Sequence, residues 1–144
     1  MKKTRDEVTK IYQTIYPNLK DYYSILHSEI FLLPPDDEAV EKLKKHSVAH
    51  IPFVSNISDC NHHAWFLWAG IQREYAEAAL SLPKEERITR SYGWLTGMRK
   101  GIFGETPHTM ATVLTDKRII IIETQTDLIE EPNTEKFDAY LLVM

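Results

Sequence analysis

The sequence predicts an α+β fold in which helices come first and an antiparallel sheet follows. Apolar residues recur at helical spacing at Val8, Ile11, Tyr12 and Ile15. They do so again from Cys60 through Ala64, Leu67, Trp68, Ile71, Tyr75, Ala78 and Ala79. From residue 88 onward the pattern changes to β-branched and aromatic runs, chief among them four consecutive isoleucines, Ile119 to Ile122. Segregation of the two element types, rather than alternation, marks an α+β chain. With 144 residues, 43% hydrophobic and 26% charged, a single domain over 1–144 is expected. Residues 1–57 would form a helical N-terminal portion and 58–144 the core.

Each element has its own local reason. Thr4 with Glu7 fits a capping box ahead of the first helix, and Pro17 closes that helix. Asn18 is placed to cap a second short helix through Tyr22, Ile25 and Leu26. Residues 29–33 are a brief apolar run, cut off by Pro34-Pro35. Asp36, Asp37 and Glu38 open a helix carrying Ala39, Val40 and Leu43, with Lys42, Lys44 and Lys45 near its end, a charge order that suits the macrodipole. Residues 47–58 lack periodicity, and Pro52 marks an extended approach to the central helix, which Ser58 or Asp59 would cap. After it, 82–87 reads as a surface turn and 88–96 as a strand. Residues 97–106 hold three of the five glycines and read as a mobile loop in front of His108. Residues 108–114 and 119–124 read as a hairpin about 115–118, and 137–144 as a last strand. The isoleucine run implies a strand buried on both faces.

Bulk properties exclude several classes. A net charge of −4 gives no general attraction to nucleic acid or anionic lipid. One cysteine excludes an intrachain disulfide and suits a reducing compartment, so a cytoplasmic location is expected. Charges run from Lys2 to Lys10 with no apolar stretch behind them, which argues against a signal peptide. No segment approaches the roughly 18 apolar residues that span a bilayer. No cofactor, nucleic-acid partner or membrane partner is expected, and the oligomeric state is open.

The chemistry-bearing residues are Cys60, His108 and Glu123. A helix N-terminus offers free N–H groups and partial positive charge, which favour a thiolate at Cys60; the bland alternative is a small buried hydrophobe. If Leu114 pairs with Ile119, paired numbers sum to 233. His108 and Glu123 then become diagonal neighbours on one face, roughly 7–8 Å apart at the backbone, and a glutamate can bridge that gap. A one-residue slip would separate them, and polar residues at strand ends also simply meet solvent. A thiol nucleophile needs a base, and the base needs an orienting group. The Cys60 amide is a candidate oxyanion donor, with Asn56, Ser58 or another amide as the second. His63 lies about 60° around the helix from Cys60. A zinc site from Cys60, His63 and His108 is an alternative to the expectation of no metal. Trp65 lies off the apolar stripe and would border a groove.

Taken together, helix-tip cysteine, strand histidine and next-strand carboxylate form the chain order of papain-like and transglutaminase-like proteins. Asp59, Cys60 and Ala64, with the run from Ile122 to Asp127 reading IETQTD, resemble a small bacterial and phage branch shared with the peptidase domain of fungal agglutinins. That branch carries DCDDFA, a strand histidine and IEPQTD, and the similarity covers 58–144. The resemblance implies a papain-like fold with N-terminal helices and a nucleophile-bearing helix packed on an antiparallel sheet. It implies a cysteine peptidase, amidase or transglutaminase-like acyltransferase acting on a peptide or other amide, with Cys60 as nucleophile, His108 as base and Glu123 as orienting carboxylate. The alternative is a papain-like binding or regulatory module without activity. Departures include Asn61-His62 where the branch has an acidic pair that helps bind calcium, which leaves a calcium site an open question, and the lack of a glutamine between Gln13 and Cys60.

Overall fold

In the computed structural model, which describes residues 1–20, 24–55 and 57–144, strands outnumber helices. Among the described residues there are nine strands in two sheets and three α-helices. A small sheet has the order β1-β3-β4, from Lys2–Thr4, Ile30–Leu32 and Thr89–Arg90. The large sheet has the order β2-β9-β5-β6-β7-β8. Its members are β2 (Ser24–Ile25), β5 (Tyr92–Gly101), β6 (Gly104–Leu114), β7 (Ile119–Glu123), β8 (Leu128–Glu130) and β9 (Phe137–Val143).

The expected segregation of helices and sheet is therefore corrected. The N-terminal 57 residues are not a helical block: β1, β2 and β3 lie there among α1 (Arg5–Ile15) and α2 (Asp36–Lys45). Short strands of two or three residues have too few alternations to announce themselves in sequence. The short helix expected from Asn18 is instead a 3-10 turn at Pro17–Lys20 followed by β2, and its remaining part, Asp21 to Tyr23, lies outside the described residues. The loop expected at 97–106 is also corrected: β5 runs through it and turns at Ile102-Phe103 directly into β6, with Gly101 opposite Gly104. Gly104 supplies the positive φ of 106° that the tight turn demands. Gly97 has a different reason, close packing: a Cβ there would lie 2.2 Å from the Asp138 carbonyl oxygen.

The sheet is the middle layer of three. One cluster packs α1, through Val8 and Tyr12, against Leu95, Met110, Leu114, Ile119, Ile121 and Leu142. The other packs α2 and α3 (Cys60–Ala79), through Leu43, Leu67 and Ile71, against Tyr92, Ala111, Val113, Ile120 and Ile122. Alternate isoleucines of β7 thus point to opposite cores, and all four are at most 3% exposed. Tyr12 crosses from α1 to the sheet, its hydroxyl 2.9 Å from Thr112 Oγ1. The capping box at Thr4 and Glu7 forms as the sequence requires. No described helix is long and apolar enough to cross a membrane.

Candidate functional site

The site assembles at the N-terminus of α3, where the helix tip meets β6 and β7. Asp59 is the N-cap, accepting from the amides of Asn61 and His62. It also lies 2.8 Å from His62 Nδ1, which holds its carboxyl below the usual range. Ser58 does not cap. Its hydroxyl donates to the Pro52 carbonyl and accepts from the Val54 amide, so it is spent on the preceding loop rather than free as an oxyanion donor. Asn56, the other side chain considered for that role, lies outside the described residues.

Pairing of β6 with β7 follows the predicted register, Leu114 opposite Ile119 through Ala111 opposite Ile122. Beyond the last pair, His108 Nε2 and Glu123 Oε2 meet at 2.6 Å. Nε2 is committed to the carboxylate, and the imidazole stands close enough to Cys60 to draw the pKa of its thiol down. Cys60, His108 and Glu123 are thus brought together from three elements.

The electrostatics of the three are coupled. The hydrogen bond from His108 lowers the Cys60 thiol, against a burial effect that would raise it; the Thr109 amide adds to the lowering, and Asp59 opposes it. Burial alone would depress His108, but its bonds to Cys60 and Glu123 hold it up at about 9. Glu123 is buried, which would raise its pKa, yet the His108 bond keeps it lowered. Cys60 itself is only partly buried. A partly exposed thiolate beside an imidazolium is able to attack a soft carbon electrophile.

Sequence reasoning did not find the supports around these residues. Thr109, 1% exposed, donates from its hydroxyl to Asn61 Oδ1 and sits 3.0 Å from Thr96 Oγ1, clamping the helix tip to β5 and β6. Arg99 Nη1 reaches Glu123 Oε2 at 2.5 Å. Reading residues 97–106 as a loop hid Arg99, because only a strand aims it at β7. Two other histidines are not bonded to these residues. His46 pairs with Glu74 at 2.6 Å. His63 is buried with neither ring nitrogen hydrogen-bonded. Among the described residues no three histidine, cysteine or carboxylate side chains are placed to hold a metal ion together, so the zinc set of Cys60, His63 and His108 does not form. Trp65, half-exposed, stands with its ring centroid 6.2 Å from that of Trp94 and 5.4 Å from that of His62.

No protein-family model matches the chain, and no curated protein matches it. Solved structures do. A chain described as "PSL1a-E64 complex" superposes with a TM-score of 0.74 at 18% identity, over 99% of this chain and 51% of the other. Polyporus squamosus lectin bound to the human-type influenza-binding epitope Neu5Aca2-6Galb1-4GlcNAc superposes with a TM-score of 0.71 at 17% identity, over 99% and 49%. This chain therefore spans about half the length of the solved chains it matches. At these identities the likeness shows the fold.

These findings correct the family reading. One of these solved chains is named as a lectin, and no family model ties the chain to papain-like enzymes. The papain-like fold is corrected with it, and so is the cysteine peptidase, amidase or acyltransferase activity. The named ligand of a neighbour is a glycan rather than a peptide or amide, which corrects the expected partner. The inactive papain-like module is overturned on the same ground. The reason lies in the length of the motif: a cap, a cysteine and one strand-end hexapeptide are too few residues to fix a family.

Proposed function

We propose that this chain is a carbohydrate-binding module of lectin-like fold that carries a reactive thiolate, with Cys60 as nucleophile, His108 as its proton-holding partner and Glu123 as the orienting carboxylate. The single observation behind the thiolate is convergence: His108 lies 2.6 Å from Glu123 and close enough to Cys60 to draw the pKa of its thiol down. The glycan reading is supported by the likeness to a lectin fold. It is also supported by the half-exposed rings of Trp65 and Phe66, both in contact with His62 in the first turn of α3, since aromatic faces with one wet edge suit amphipathic ligands. A reducing compartment such as the cytoplasm would keep the thiol free.

Iodoacetamide labelling tests the thiolate, since the sulfur displaces iodide and forms a stable C–S bond. Labelling is expected to persist below the ordinary thiol value near 8.5 and to lose that advantage in His108→Ala. A folded protein labelling like a free thiol would overturn the reading. Titration calorimetry with Neu5Aca2-6Galb1-4GlcNAc and a panel of other glycans tests recognition. Binding weakened by Trp65→Ala supports it, and no binding to any glycan removes it.

A further inference from the structure

Glu123 Oε2 accepts two donors at once. His108 Nε2 lies 2.6 Å away and Arg99 Nη1 2.5 Å away. The other oxygen, Oε1, takes the Gln125 amide at 3.4 Å. Arg99 is itself anchored from the far side, with Nη2 3.5 Å from Glu130 Oε1 on β8. From Cys60 outward the groups form an alternating row: thiolate, imidazolium, carboxylate, guanidinium, carboxylate. They come from α3, β6, β7, β5 and β8, and Asp59 is the further charge acting on the Cys60 end of the row.

We propose that Arg99 is a positioning residue that keeps the shared proton on His108 rather than on Glu123, and so maintains the counter-ion of the Cys60 thiolate. This rests on the reactive-thiolate reading. The side chain of Glu123 is 8% exposed and that of His108 14%. Burial disfavours charge, so an isolated histidine–glutamate pair in such a place can relax to its neutral form by moving one proton from nitrogen to oxygen. A neutral His108 no longer stabilises a thiolate. Arg99 blocks that relaxation, because a guanidinium keeps its protons and bonds to the very oxygen the proton would occupy. Protonating Oε2 would also leave the guanidinium facing a neutral acid, at the cost of a charge-assisted hydrogen bond.

The test is the pH profile of Cys60 alkylation by iodoacetamide in the full chain, for the parent, Arg99→Gln, Arg99→Lys and His108→Ala. The side chain of Arg99 is 36% exposed, so glutamine leaves a solvated gap rather than an internal void. The expected result is an upward shift of the alkylation midpoint by about one pH unit in Arg99→Gln, which slows labelling roughly tenfold on the acid limb. Arg99→Lys, which retains a cation for Oε2, should recover most of the difference. A parent-like profile in Arg99→Gln, with His108→Ala still impaired, overturns the role of Arg99 and leaves the thiolate reading standing. A shift in Arg99→Lys as large as in Arg99→Gln overturns the charge argument. A parent-like profile in His108→Ala overturns the thiolate reading, and this inference with it.

Discussion

His108 and Glu123, fifteen residues apart, share a hydrogen bond of 2.6 Å that no backbone pair of the ladder provides. The β6–β7 pairing ends at Ala111 and Ile122, so side chains alone carry the contact past it. Replacing Glu123 by glutamine keeps the shape and removes the charge that supports the imidazolium. Alkylation of Cys60 near pH 6.5 should slow by about tenfold, with the midpoint moving up about one unit. Equal rates in parent and Glu123→Gln would contradict the orienting role.

Thr109 joins the helix tip to the sheet. Its buried hydroxyl donates to Asn61 and lies 3.0 Å from the Thr96 hydroxyl. Thr109→Val preserves volume but strips the donor, and urea unfolding should show a loss of about 1–2 kcal/mol. The same change should loosen the Cys60–His108 approach, seen as slower alkylation below pH 7.

Gly97 faces His108 across β5 and β6 and stands at the irregularity in the β5–β9 register. A Cβ at this position would sit 2.2 Å from Asp138 O and 2.7 Å from the Ala139 Cα. Backbone, not a flexible side chain, is in the way, so Gly97→Ala should cost about 3 kcal/mol or more. Soluble expression and a melting temperature within a few degrees of the parent would refute the close-packing account.

Glu74 binds α3 to α2. Its carboxylate takes Lys42, Lys45 at 3.0 Å and His46 at 2.6 Å, and these bonds hold its pKa down to about 2. A carboxylate whose folded value is depressed stabilises the fold above its ordinary value near 4.5, and that stability fades as pH falls through about 2. Glu74→Gln should therefore cost about 1 kcal/mol at neutral pH and flatten the loss of stability between pH 5 and 2. Denaturant midpoints at four pH values would check both parts.

How much of this was legible in the sequence depends on the range over which each signal acts. The Thr4 cap, the α3 helix and the β6–β7 register rest on neighbouring residues and a short turn, and the chain states them openly. The last turn of α3 is a partial miss: Ala78 continues the apolar spacing, yet it is exposed. Glycine at 97, 101 and 104 suggested looseness, whereas two of these positions answer to a neighbouring backbone and a tight turn that only the sheet reveals. Arg99 was out of reach for the same reason. Cys60, His108 and Glu123 could be named because each has a local signature, but the family inferred from them was wrong, since short signatures recur in unrelated surroundings.

The alternation along β7 carries one last implication. Ile119 and Ile121 are one wall of the compartment beneath α1, while Ile120 and Ile122 line the compartment beneath α2 and α3. Neither compartment can melt while the other stays dry, because they own opposite sides of the same ribbon. Heating should therefore give one sharp transition with no half-molten species, and trimming any one of these isoleucines to alanine should lower the transition reported by probes on both sides.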